Sequence, residues 1–195
     1  MIHLKRRLIM EPQELLKTAQ MLFIEGKDRA SIEAYTKALE AGADPYIAHL
    51  SRGVACVKTK DIDMALDDFS KAVNASSQSF RAYFFRGMAN MMKGEFEKAV
   101  GDFTVALTIK PDYFMAMFSR AVSLARLCRF EEASKDMQVI LPYMEENFQS
   151  FTDTYGIIKT EMWKVMEQMT DESGQPTLGL NATEIETLKK WLGQE

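Results

Sequence analysis

Ala82-Tyr83-Phe84-Phe85-Arg86-Gly87, then Lys93-Gly94-Glu95-Phe96-Glu97-Lys98-Ala99, Asp102-Phe103 and Lys110-Pro111: the reading of this stretch decides the fold. Moved back by 34 residues, it lands on Arg52-Gly53, Ala65 and Asp68-Phe69. Moved forward by the same step, it lands on Arg120-Ala121, Ala133 and Asp136-Met137. A weaker copy comes first, with Ala19, Tyr35, Ala38 and Leu39 in matching slots, so the copies open near Pro12, Tyr46, Phe80 and Phe114. A gapless period of this length marks a supersecondary unit that buries its apolar face only against its neighbours.

Each copy reads as a helical hairpin. Small residues at Gly87, Ala99 and Ala106 beside large ones at Tyr83, Phe96 and Phe103 suit two helices in close approach. Polar breaks separate the two helices of every copy, at Glu25-Gly26-Lys27, Lys58 to Asp61, Lys93-Gly94-Glu95 and Cys128-Arg129. Glycine stands in two of these breaks, where a helix C-terminus favours it.

These residues together resemble the tetratricopeptide repeat, in the variety with Arg-Gly in the first helix and Asp-Phe in the second. The resemblance covers roughly residues 12–142. It departs from the family pattern at Ser31, Cys56 and Asn90, and the last copy lacks a closing proline. It implies an all-α, right-handed superhelical solenoid of about four hairpins, with repeats near 12–45, 46–79, 80–113 and 114–142. Residues 1–11 form a leader read as disordered or vector-like.

Composition sets limits on function. The chain is 47% hydrophobic over 195 residues, enough for a continuous core, and has no apolar run long enough to span a bilayer. A net charge of −4, with no basic cluster after Arg7, argues against nucleic acid. Cys56 and Cys128 occupy different slots of different repeats, which indicates no disulfide framework and points to the cytoplasm. His3 and His49 have no metal-ligand spacing around them, and no phosphate loop or nucleophile elbow is present. Asp67-Asp68, Glu131-Glu132 and Glu145-Glu146 read as solvated charge runs. No catalytic residue, metal or cofactor is therefore expected.

Arg52, Arg86 and Arg120 are each followed sixteen residues later by an aspartate, Asp68, Asp102 and Asp136, whereas the first copy has Thr18 and Ala34 in those slots. Both partners are present or both are missing, so the arginines are expected to form structural ion pairs inside each repeat. For partner binding, the resemblance implies that the first helices line a concave groove. Its slots hold Leu16, Gln20, Phe23, Leu50, Val54, Val57, Arg81, Phe84, Met88, Met91, Phe118 and Val122. Phe84 and Met88 are expected to face the groove without packing. Phe23, Val57 and Met91 read equally well as contacts between neighbouring helices.

Family members that capture a chaperone's C-terminal carboxylate carry Lys, Asn, Asn, Lys and Arg at set groove slots. Here those slots hold Leu16, Gln20, Ser51, Arg81 and Phe85, and only Arg81 fits. A frame one repeat later, with Leu50, Val54, Phe85, Met115 and Ser119, fits no better.

After the repeats, Phe148, Phe151, Tyr155, Ile158, Met162, Val165 and Met169 mark an amphipathic helix over 143–169, read as a cap or as a dimer seam. Residues 170–182 read as a linker, and Thr183 with Glu186 opens a short helix over 183–195. The chain is thus expected to be a non-catalytic module that binds an apolar or amphipathic peptide or helix of a protein partner. The alternative is a homodimeric or larger scaffold that uses the groove and the C-terminal helices for self-association.

Overall fold

Pro12 and Pro45 open their helices at a position where the missing N–H is no loss. Asp44, Asp61 and Ser79 start theirs by accepting the N–H of Ile47, Met64 and Ala82 at 2.9, 3.2 and 3.2 Å. The resulting elements in the computed structural model, which describes residues 10–140, are α1 (Pro12–Ile24), α2 (Asp28–Glu40), α3 (Pro45–Lys58), α4 (Ile62–Ala75), α5 (Phe80–Met92), α6 (Phe96–Ile109) and α7 (Phe114–Arg126). An eighth helix, α8, covers 130–140. Among the described residues there is no strand. The leader up to residue 9, the amphipathic helix expected over 143–169, the linker and the helix expected over 183–195 lie outside the described residues.

Each break inside a hairpin contains one residue in the left-handed region: Gly26 (φ 73°), Lys60 (φ 64°), Gly94 (φ 79°) and Cys128 (φ 59°). The sequence supplies glycine at two of these turns and leaves a strained side chain at the other two, at a cost of about 1–2 kcal/mol each. Lys60→Gly is therefore expected to stabilise the protein by roughly 1 kcal/mol, read as a rise in the urea midpoint at unchanged slope. A lower midpoint would mean that the lysine side chain makes up for its backbone.

The chain divides into two compact units at Lys93 and Gly94. In the first, α1 packs on α2, α2 on α3, α3 on α4 and α4 on α5. Leu16, Ala19, Tyr35, Ala38, Ala43 and Ala48 form one core cluster. Cys56, Ala65, Phe69 and Ala89 form a second, flanked by Leu50, Val54 and Phe85. Phe69 fills the space over Gly53, where an added Cβ would lie 2.5 Å from its ring. In the second unit α6 packs on α7, and Phe103, Ala106, Phe118, Ala121 and Ile140 are buried.

Candidate functional site

Residues three and four apart share a helix face, and on three first helices of the first unit such sets converge. Gln20, Phe23 and Ile24 of α1, Leu50, Ser51 and Val54 of α3, and Arg81 and Phe85 of α5, with Tyr35 of α2, line a cleft of about 430 Å³. Its walls are mostly aromatic and aliphatic. Lys58 of α3 lies over the Phe23 ring, its Nζ 4.4 Å from the ring centroid and 3.0 Å from Asp28 Oδ1. Phe85 stacks on the buried Phe69 with centroids 5.7 Å apart. Tyr35 is almost wholly buried beside Ser51; burial pushes its hydroxyl pKa above the ordinary value, and the hydrogen bond from Ser51 partly offsets this.

Of the groove residues read from the sequence, Gln20, Phe23, Leu50, Val54 and Arg81 line the cleft. Leu16 does not. It is 4% exposed and belongs to the first core cluster with Tyr35 and Ala38. Phe84 is 0% exposed, its ring edge-on to Phe85 at 5.4 Å, so the expectation that it faces the groove without packing is wrong. A charge at Phe84 would have to be buried, which makes that position unsuited to testing the cleft. Phe118 and Val122 are likewise buried in the second unit and offer no surface to a partner. Met88 is half-buried and not among the lining residues.

Phe85 and Ser51 do line the cleft, although the groove frame omitted them and they entered only as clamp slots. Ile24 and Tyr35 were missed as well. Ile24, 78% exposed at the end of α1, stands four residues after Gln20 and so shares its face.

The first unit also holds a buried polar network. Arg52 Nε and Nη2 donate to Asp68 Oδ2 and Oδ1, both at 2.8 Å, and Nη1 donates to Thr36 Oγ1 at 2.8 Å. His49 Nδ1 donates to Asp68 Oδ1 at 2.8 Å. Asp68 has no exposed surface and Arg52 is 8% exposed, so this pair is desolvated and fully bonded. It raises the Arg52 pKa, the Asp68 bond being the chief cause. In the second unit Arg120 Nε and Nη2 donate to Asp136 at 2.8 and 2.6 Å, and Nη1 reaches Thr104 Oγ1 at 3.3 Å. Arg86 and Asp102 belong to different units. Each arginine in the two described networks thus ties its own hairpin to a threonine sixteen residues earlier in the chain.

The sequence profile of the tetratricopeptide repeat matches residues 25–80 and 61–114. The chain is a tetratricopeptide-repeat protein. Solved structures agree on the fold. A crystal structure of MamA is 18% identical over 94% of this chain and 91% of its own length, with a TM-score of 0.69. The first repeat domain of Spaghetti (RPAP3), bound to the HSP90 peptide SRMEEVD, is 27% identical over 60% of this chain and 94% of that domain, with a TM-score of 0.58. The second domain of human RPAP3, in complex with the HSP70 peptide SGPTIEEVD, is 23% identical over 57% and 97%, with a TM-score of 0.54. No curated protein matches the sequence significantly.

Two further features of this tetratricopeptide-repeat protein bear on its chemistry. No helix among the described residues is long and apolar enough to cross a membrane. The thiols differ: Cys56 is buried, and that burial pushes its pKa up to about 11, whereas Cys128 is exposed. Since thiolate is the reactive form, the native protein is expected to take up one equivalent of a thiol reagent quickly at neutral pH and the second only on unfolding. Rapid labelling of both cysteines would show that the second core cluster opens readily.

Proposed function

We propose that the protein is a non-catalytic interaction module that takes an apolar or amphipathic peptide or helix in the cleft of α1, α3 and α5. The observation that carries this reading is the cleft itself: five of its nine lining residues are Phe23, Ile24, Leu50, Val54 and Phe85, in a volume within the usual range for ligand sites. That the Spaghetti (RPAP3) domain holds a peptide supports the same use of this fold. Gln20, Leu50, Val54 and Arg81 remain the proposed contact residues, now joined by Ile24, Ser51 and Phe85, and Met88 is kept only as a neighbouring position. Tetratricopeptide repeats generally act without catalysis, and a cytoplasmic partner is the natural one for a chain with an exposed Cys128.

Magnitudes add a constraint. Two buried apolar anchors give roughly 3–6 kcal/mol gross, short of the roughly 8 kcal/mol of a micromolar complex. A micromolar ligand would have to cover more apolar surface than that, and on α1 Met21 and Ile24 are 51% and 78% exposed.

The test is an affinity pull-down from the source cell with Val54→Asp and Ile24→Asp as controls, both checked for helix content. Ile24 is so exposed that its variant should fold as the parent does. Loss of the same captured protein in both variants is the expected result. Retention in both would move the site off this cleft. Self-association is the rival reading, and a monomer by light scattering at tens of micromolar would remove it.

A further inference from the structure

The cleft is polar along its length as well as apolar across it. Its lining runs from the last turn of α1, at Phe23 and Ile24, across the middle of α3, to Arg81 in the first turn of α5. Among the described residues no acidic side chain lines it, and Arg81 is the one cation of its lining. Among the described residues no carboxylate pairs with Arg81; its guanidinium carbon lies 5.7 Å from the ring centroid of Phe80. The first turn of α5 holds no acidic residue either. An arginine there adds to the positive end of the helix dipole instead of offsetting it, so its charge is not balanced by its own helix. At the α1 end the chain leaves with Glu25, which is paired with Lys27 at 2.9 Å.

Resting on the cleft reading above, we infer that the ligand is an amphipathic segment internal to a partner protein, with two apolar side chains on one face and a side-chain carboxylate beyond them that pairs with Arg81. A free C-terminal carboxylate is not part of this recognition. Gln20 and Ser51 stand near the apolar walls as neutral groups, and Ser51 is already engaged with Tyr35. One exposed guanidinium suits one carboxylate at the rim, and such a contact sets orientation and choice of partner more than raw affinity.

The experiment uses the full chain and fluorescence polarisation with two amidated, acetylated helical peptides. Both carry leucines about four positions apart; one has Glu and the other Lys a turn beyond them. The heptapeptide SRMEEVD, as free acid and as amide, is the third probe. The Glu peptide is expected to bind about fivefold more tightly than the Lys peptide, Arg81→Glu should reverse that order, and raised salt should narrow the gap. The two forms of SRMEEVD should differ little. An unchanged Glu-to-Lys ratio in Arg81→Glu, or clear preference for the free acid, overturns this inference while leaving the cleft in place. Binding of the helical peptides that survives Ile24→Asp and Val54→Asp, or binding of none of the probes, overturns the cleft reading itself.

Discussion

Asp68→Ala is expected to destabilise the protein by about 3–5 kcal/mol, one of its two most damaging single substitutions, because it strands a buried guanidinium. Asp68 is fully buried and accepts two bonds from Arg52 and one from His49. Without it Arg52 keeps only Thr36, and its charge has little access to water. The double variant Arg52→Met/Asp68→Leu removes both charges together and should recover most of the loss. Asp136→Ala should cost less, since the Arg120 side chain is 23% exposed against 10% for Arg52. Urea denaturation followed by circular dichroism reads all three. If Asp68→Ala falls within about 1 kcal/mol of the parent, water reaches the site and the pair is no more than a surface bridge.

The partners of Arg52 and Arg120 were legible because the sixteen-residue spacing is a matter of presence or absence, which the first copy shows by lacking both groups. What the spacing left unread was the backward bond to Thr36 and Thr104. A signal for it exists, since Ser70 stands the same sixteen residues before Arg86. A hydroxyl carries no charge whose burial must be balanced, so it did not draw attention as an aspartate does. The repeat itself was plain from the sequence for a related reason. Small residues at fixed slots record where backbones must approach, and that requirement is local to each hairpin.

The cleft was less legible, and α5 shows why. Phe80, Phe84, Phe85, Met88, Met91 and Met92 spread apolar character around most of that helix. Periodicity therefore cannot say whether Phe84 or Phe85 faces outward; the two differ by about one hundred degrees around the helix. Packing decides it. Phe84 fills the interior, and Phe85 stacks on Phe69 with one face toward the cleft. Leu16 meets the same ambiguity on α1: Leu15 and Leu16 are adjacent and both pack on the cluster of Tyr35, and only the packing shows that Leu16 is the one fully enclosed. Gln20 and Arg81 line the cleft, since a polar group between apolar neighbours has few places to go but a rim.

Gly53→Leu is expected to unfold the first unit or to cost it more than about 3 kcal/mol, and the reason ties the repeat signature to the cleft. A Cβ at Gly53 would sit 2.5 and 2.8 Å from Phe69 Cε1 and Cδ1. The ring cannot swing aside, being fully buried and stacked on Phe85 with an interplanar angle of 19°. Even alanine has to overcome this. Its helix propensity gains up to about 1 kcal/mol over glycine, against an overpacking cost of roughly 1–3 kcal/mol, so Gly53→Ala should come out mildly destabilising. Leucine adds bulk without adding propensity. Phe69→Leu takes away the ring atoms that clash, and in a double-mutant cycle with Gly53→Ala it should recover more than about 1 kcal/mol of the two separate losses. Because Phe69 supports Phe85, Gly53→Ala should also shift the cleft wall and weaken ligand binding while the protein stays folded. Additive energies in that cycle, or a Gly53→Leu chain as stable as the parent, would place the close helix approach somewhere other than the Arg-Gly signature.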